Sequence, residues 1–281
     1  MTINKPKMKL SRILIFTALI ILSALFLSPI FIVFMNSFKG KFFISETPFK
    51  LPTQETFVKI ENYISGIEKT KFLNAAGWSF FITICSVAII ILLTSMTAWF
   101  ITRNKNKFNN TLYYMFAFSM IVPFQMVMFT MTKVANMLHI DNPIGIIFIY
   151  LGFGAGLSVF LFSGFVKSIP IELEEASMID GCNPLSTFFL VVMPVLKPII
   201  VTVAILNVMW IWNDYLLPYL VIGTEYKTIP IAIQYLRGGY GSIDMGAMMA
   251  MLVLAIIPIV IFYLFCQKFI IEGVVAGAVK G

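Results

Sequence analysis

Histidine occurs once in these 281 residues, cysteine three times, and acidic side chains only thirteen times. Each scarcity closes a class of function. The single histidine, His139, excludes paired-histidine zinc motifs, and beside Asp141 it reads as a solvated turn residue. Cys85, Cys182 and Cys266 fall in two apolar runs and one polar loop, which gives no disulfide framework. No G-x-x-x-x-G-K-[ST] run occurs, so the chain does not cradle a nucleotide in that way. No catalytic residue, metal ligand or cofactor is therefore expected. Long polar stretches are also missing. The longest loops, such as Asn36–Lys71, fall below the size at which a separate core sustains itself.

What the sequence has in abundance is apolar surface. Hydrophobic residues make up 59% and charged residues 12%, with a mean hydropathy of +0.94. Uncharged runs cover Ile13–Met35, Phe72–Thr102, Phe108–Thr132, Asn142–Val166, Pro198–Asn213 and Met245–Gln267. Runs of about 18 residues or more can cross a bilayer as helices. The expected fold is an all-α polytopic membrane protein with six transmembrane helices, forming one domain over residues 1–281. The net charge of +7 is spread along the chain rather than gathered in a stripe. It suits membrane lipid and cytoplasmic anchoring and gives no sign of nucleic acid.

Orientation follows from the basic residues. Lys5, Lys7, Lys9 and Arg12 lie in an N-terminal tail free of acids, as do Arg103, Lys105 and Lys107 in a tight loop. Dense short basic segments stay inside, so the expected topology is N-in, C-in. Asn36–Lys71, with six Lys and four Glu, becomes an external loop. The first apolar run is too long for a signal-peptide core and no small-residue cleavage site closes it. It reads as an uncleaved span.

One polar stretch interrupts the second half of the chain, IPIELEEASMIDGCNPLSTFFLVVMPVLKP at Ile169–Pro198. Pro170 suits the first position of a helix, where its missing N–H is not needed. Glu172, Glu174 and Glu175 then place negative charge at the positive end of the helix dipole. Gly181 offers a permissive backbone for the stop. Asn183 and Pro184 restart a second helix with a cap and a first-turn proline, and Pro194 and Pro198 fence it off. Two short helices hung between two spans make a protruding knob, placed in the cytoplasm by the topology above.

Within the apolar runs, Asn74, Gln125, Asn207, Asn213 and Asp214 ask for an explanation, because polar groups in hydrocarbon are expensive unless they face protein or water. Helix–helix hydrogen bonding, worth about 1 kcal/mol each, is one account. A polar lining to a transport path is the other. Trp78, Trp99, Trp210, Trp212 and Tyr215 divide in the same way, between interface belt or packing and stacking on a sugar. Pro29, Pro123, Pro218 and Pro258 can each kink a helix.

Glu175-Ala176-Ser177, Asp180-Gly181 and Pro194, in that context, resemble the "EAA" loop of ABC-importer permeases. The resemblance implies a coupling helix, carried here by Glu174, Glu175, Ala176, Ser177, Asp180, Gly181 and Pro194, that docks in a groove on a separate ATPase. Trp212-Asn213-Asp214-Tyr215-Leu216-Leu217-Pro218 resembles the "WND" segment of carbohydrate-type permeases. From Pro198, a helix rising 1.5 Å per residue carries Asp214 into the outer half of the membrane, so a helix break is as good an account as substrate contact. The tail Lys268–Gly281 resembles the end of the smaller permease of maltose-type importers, which can reach the ATPase. Ser177 in place of alanine, and Cys182, are small departures from the family pattern.

The resemblance implies a non-hydrolytic permease subunit in the cell membrane. Its partners would be a second permease, a cytoplasmic ATP-binding-cassette ATPase dimer, an extracytoplasmic solute-binding protein and a sugar substrate. Two other functions fit the same residues. One is the same fold carrying another solute such as a glycerol phosphate, although a phosphate prefers Arg or Lys in its path and no apolar run contains either. The other is a non-ABC channel or carrier. A proton-coupled carrier normally shows buried carboxylates or histidine, and only Asp214 qualifies.

Overall fold

The structure is a computed structural model describing residues 10–237 and 244–278. The described residues are nearly all helical. Helix α1 spans Leu10–Asn36, α2 Lys41–Glu46, α3 Glu61–Thr70, α4 Phe72–Arg103, α5 Lys107–Ser119, α6 Phe124–Met137 and α7 Gly145–Val166. Next come α8 (Glu172–Ile179), α9 (Pro184–Thr187), a π-helical turn (Phe188–Val192), α10 (Met193–Val195) and α11 (Lys197–Asn213). The chain closes with α12 (Leu216–Val221), α13 (Ile229–Gln234), a 3₁₀ turn (Tyr235–Arg237) and α14 (Met245–Ala278). Of the tail, residues 279–281 lie outside the described residues, as do 1–9 with Lys5, Lys7 and Lys9.

Four helices are long and apolar enough to cross a membrane, at Arg12–Asn36, Phe72–Arg103, Gly145–Val166 and Met245–Phe269. Two bent pairs raise the number to six if each is one span. α5 and α6 turn by 107° at their junction, and Pro184–Val195 turns by 78° against α11. The expected span at Phe108–Thr132 is therefore corrected to two helices in a sharp elbow. Pro123 is the cause: it caps α6 in an extended conformation, φ −64° and ψ 137°, where it has no N–H to continue a helix and pushes its predecessor out of the helical region. α6 also runs on to Met137 and so includes Lys133, which the sequence placed just beyond the apolar run. Pro29 and Pro258, by contrast, sit inside continuous helices.

The chain forms two compact units. The first joins Met1–Thr70 to Tyr235–Ile256. Here the end of α1 is tied down by polar contacts. Asn36 donates to the Pro48 carbonyl at 2.8 Å, Ser37 Oγ lies 2.7 Å from the Tyr63 hydroxyl, and Asn62 donates to the carbonyls of Ser37 and Lys39. Lys39 is fully buried and donates from Nζ to the Thr47 carbonyl at 2.7 Å. Burial holds its ammonium below the usual lysine range, because desolvation disfavours the charged form. An ion pair between Lys69 and Asp244 fixes the start of α14.

The second unit, Lys71–Gln234 with Ile257–Gly281, is built on the packing of α4 against α7. Small residues suit that packing: a Cβ on Gly154 of α7 would stand 2.7 Å from Ile90 Cδ1 of α4, whereas the buried Ser79 and Ser158 meet other helices, accepting from the Ile229 N–H at 2.8 Å and from Asn207 at 3.3 Å. A Cβ on Gly156 would stand 2.8 Å from the Phe116 carbonyl oxygen of α5, so only glycine lets α5 approach.

Candidate functional site

The stretch from Ile169 to Pro198 folds as the helical hairpin that its residues require. α8 carries Glu172, Glu174 and Glu175 in its first turn. Pro170 falls outside the helix, before the capping Ile171, a correction to its expected first-turn position. The stop is a Schellman motif. Gly181 has φ +87°, its N–H donates to the Met178 carbonyl, and the Cys182 N–H donates to the Ser177 carbonyl, both at 3.0 Å. The restart is as expected: Asn183 Oδ1 accepts from the Ser186 N–H at 2.9 Å, and Pro184 takes the first helical position. The hairpin's second arm ends at Leu196, between Pro194 and Pro198.

The hairpin has an inner and an outer face. On the inner face Glu174 is 3% exposed and receives three side-chain bonds from α4. Arg103 donates to Oε1 from Nε at 2.9 Å and from Nη2 at 2.7 Å, and Trp99 Nε1 donates to Oε2 at 2.9 Å. Arg103 Nη2 also donates to the Ile169 carbonyl at 2.9 Å. Glu174 thus leaves the set of outward charges in which the sequence placed it: one α-helical step of about 100° separates it from the exposed Glu175. Ser177, the departure from alanine, is buried too. Its hydroxyl donates to the Glu174 carbonyl at 2.8 Å and meets the Thr187 hydroxyl at 3.0 Å, linking the two arms. Phe188, Val192 and Leu196 seal the arm into a core with Ala98 and Ile101 of α4 and Phe162 and Val166 of α7.

The outer face presents Glu175, Ala176 and Asp180 to solvent. Around them stand uncovered apolar side chains: Ile179 is 85% exposed and Leu185 59%. An apolar patch rimmed with charge is unusual on a free surface.

The polar residues of the spans do not form one cluster. Asn74 is exposed in the first turn of α4, and Gln125 is exposed just after the Pro123 break. Gln125 thus lies at the elbow of the bent pair, and Asn74 at the end of its helix. Asn207 is buried between α11 and α7, donating to the Val203 carbonyl at 2.9 Å and to Ser158 Oγ at 3.3 Å. Asp214 caps α12 by accepting from the Leu216 and Leu217 N–H groups, while Oδ2 accepts from the Tyr150 hydroxyl at 3.1 Å. The break between α11 and α12 is built on that carboxylate, and Tyr150 was not among the residues singled out. Asn213 is exposed and donates back to Met209. Trp212 is buried beside Phe80, and Trp210, 39% exposed, packs edge-on to Tyr150. A cleft of about 690 Å³ opens in the α5–α6 elbow against α7, lined by apolar residues including Phe118, Met126, Met131 and Phe153.

Several apolar helices long enough to cross a membrane, with an anchored helical hairpin carrying an uncovered acidic and apolar face, define a multi-pass membrane protein. The chain belongs to the family described as "Binding-protein-dependent transport system inner membrane component", whose pattern matches residues 90–275. It is 38% identical to a probable starch degradation products transport system permease protein of Thermoanaerobacterium thermosulfurigenes, over 93% of this chain and 94% of that one. A multiple sugar-binding transport system permease protein of Streptococcus mutans is 34% identical over 91% and 92% of the two chains. A melibiose/raffinose/stachyose import permease protein of Bacillus subtilis is 31% identical over 97% and 98%. Among solved structures, the chain shares its fold with a bacterial ABC transporter involved in alginate import, with a TM-score of 0.75 at 20% identity. That match covers 94% of this chain and 99% of the other.

Proposed function

We propose that this chain is a permease subunit of an ATP-binding-cassette importer for a sugar or oligosaccharide, in which the whole chain acts as one transmembrane domain. The knob's outer face, with Glu175, Ala176, Asp180, Ile179 and Leu185, docks on a cytoplasmic ATPase. A second permease completes the path and an extracytoplasmic solute-binding protein delivers the solute. ATP hydrolysis belongs to the partner. The observation that carries the coupling role is the uncovered apolar surface of the hairpin, above all Ile179, on a body whose inner side is locked to α4. Such a surface gains by covering, at roughly 25 cal/mol per Å². The solute class is supported by the relatives, named as transport permeases for starch degradation products, for multiple sugars and for melibiose, raffinose and stachyose. Asn207 and Asp214 act in this reading as packing and break-forming groups, while the exposed Asn74, Gln125 and Asn213 remain free to meet solute or the second permease.

Two measurements test it. A tagged chain purified from membranes brings down a second permease and an ATPase, and the reconstituted complex takes up one or more sugars in a screen from mono- to tetrasaccharides. Purification without an ATPase removes the proposal. In whole cells, cysteines at Asn104 and Ser186 react only with membrane-permeant thiol reagents, and one at Ser65 reacts with impermeant reagents. Labelling of Ser186 from outside puts the knob on the wrong side for an ATPase.

A further inference from the structure

Arg103 and Trp99 stand four residues apart on one face of α4, and both bond the same carboxylate. Trp99 takes Oε2 of Glu174, and Arg103 takes Oε1 with two nitrogens. A carboxylate held through both oxygens from two successive turns cannot rotate without breaking a charged hydrogen bond. The second reach of Arg103, to the Ile169 carbonyl, pins the turn that leads into α8. Each end of that turn is therefore fixed to α4 and not only to α7, from which the chain arrives. Ser177 and Thr187, together with the contact of Trp99 on Phe188 at 5.6 Å between rings, extend the attachment to the second arm.

We infer that Arg103 is a positioning residue that makes the hairpin and the adjoining end of α4 one rigid body, so that a displacement of the knob is delivered first to α4. This rests on the docking reading above. An ion pair with side-chain exposures of 18% and 3% is poor evidence for stability in itself, since desolvation offsets much of the attraction. What it adds is a fixed geometry. The guanidinium is a planar fork, and lysine reproduces its charge but not its paired bonds. α4 runs from this end across the whole apolar span to Phe72, and it is the helix most intimately packed on α7, so a push at Glu174 reaches the centre of the unit.

The experiment uses the whole complex in proteoliposomes, read in two ways. The first is solute taken up per ATP hydrolysed. The second is the distance between spin labels at Glu172→Cys and Lys105→Cys, with and without a non-hydrolysable ATP analogue. In the otherwise unaltered complex the distance is the same in both states. In Arg103→Lys the complex assembles, uptake per ATP falls about fivefold, the low end of measured couplings between sites, and the label distance differs between states. Arg103→Gln falls further. An unchanged ratio in both variants overturns the inference, and so does a label distance that already changes without them. Losses that follow only the amount of assembled complex, or failure of Arg103→Lys to assemble, make the pair a folding contact and overturn it equally. Ile179→Asp separates the two readings. If it loses the ATPase, docking holds whatever Arg103 does. If it keeps full assembly and uptake, the docking reading fails and this inference with it.

Discussion

Glu174 and Glu175 are neighbours with the same side-chain chemistry, and they belong to different faces of the hairpin. Glu174 is enclosed by Arg103 and Trp99, with no surface to offer, whereas Glu175 faces outward beside Asp180. The inner face is polar, fully bonded and sealed beneath Phe188. The outer face is an apolar patch with unpaired acids around it. The first arrangement holds a shape and the second is fitted to be covered. An acidic run at a helix start thus supplies at once an internal fastener, a dipole partner and, in the proposed docking, a recognition charge, and the helical step alone assigns them.

That contrast can be broken most directly by removing each carboxylate. Glu174→Ala leaves the half-buried Arg103 with only the Ile169 carbonyl, at a cost below the about 3–5 kcal/mol of breaking a fully buried pair. The purified complex then melts markedly lower, while Glu175→Ala leaves its melting unchanged. Equal melting of the two variants would dissolve the distinction between faces. Ile179→Asp tests the other side. It leaves the amount of folded chain in the membrane unchanged, but uptake falls about 30-fold if this residue anchors the docked surface at roughly 2 kcal/mol, and full uptake would remove the outer face from the mechanism. Gly181→Val comes next. A Cβ there meets nothing within 4 Å, so its whole cost is the positive φ, about 1–2 kcal/mol. Gly181→Asn recovers most of that loss, since asparagine tolerates this region, and identical melting of both variants would show that φ is not the constraint. The smallest effect on stability belongs to Glu175→Lys, about 0.3–1 kcal/mol through the helix dipole. Its uptake falls out of proportion to that cost, and an acidic substitution in the ATPase groove restores it.

Most of the hairpin, Pro170 and the partner of Glu174 apart, was legible because caps, dipole charges and a positive-φ glycine are local chemistry. Asn183, Pro184 and Gly181 do in the structure what their types require. The membrane character was legible as well, since hydrocarbon length and the absence of charge suffice for it. The elbow at Pro123 was only half visible. Proline announces a break, but a bend of 107° depends on what α5 and α6 pack against. Least legible was the pairing of Glu174 with Arg103 across 71 positions. Arg103 read as an orientation signal for the membrane, a role any basic residue there would satisfy, and nothing local to Glu174 distinguishes it from Glu172 or Glu175. Tyr150 was missed for the same reason: a tyrosine in an apolar run carries no mark of the carboxylate it meets. Where a residue's partner is set by tertiary packing, the sequence names the need for one without saying which.

The π-helical turn at Phe188–Val192 bears on how this segment tolerates change. Such a turn is one residue more than an α-helix of the same rise accommodates, and here Phe188 and Val192, at its two ends, are both buried. Deleting any one residue of the five lets the strip relax to an ordinary helix and leaves the residues on either side in their present register. Ile179 and Asp180 would keep their direction. A residue inserted into the same arm has no such slack, and turns everything on its far side by about 100°. The arm therefore tolerates a single-codon deletion better than a single-codon insertion, a constraint separate from composition.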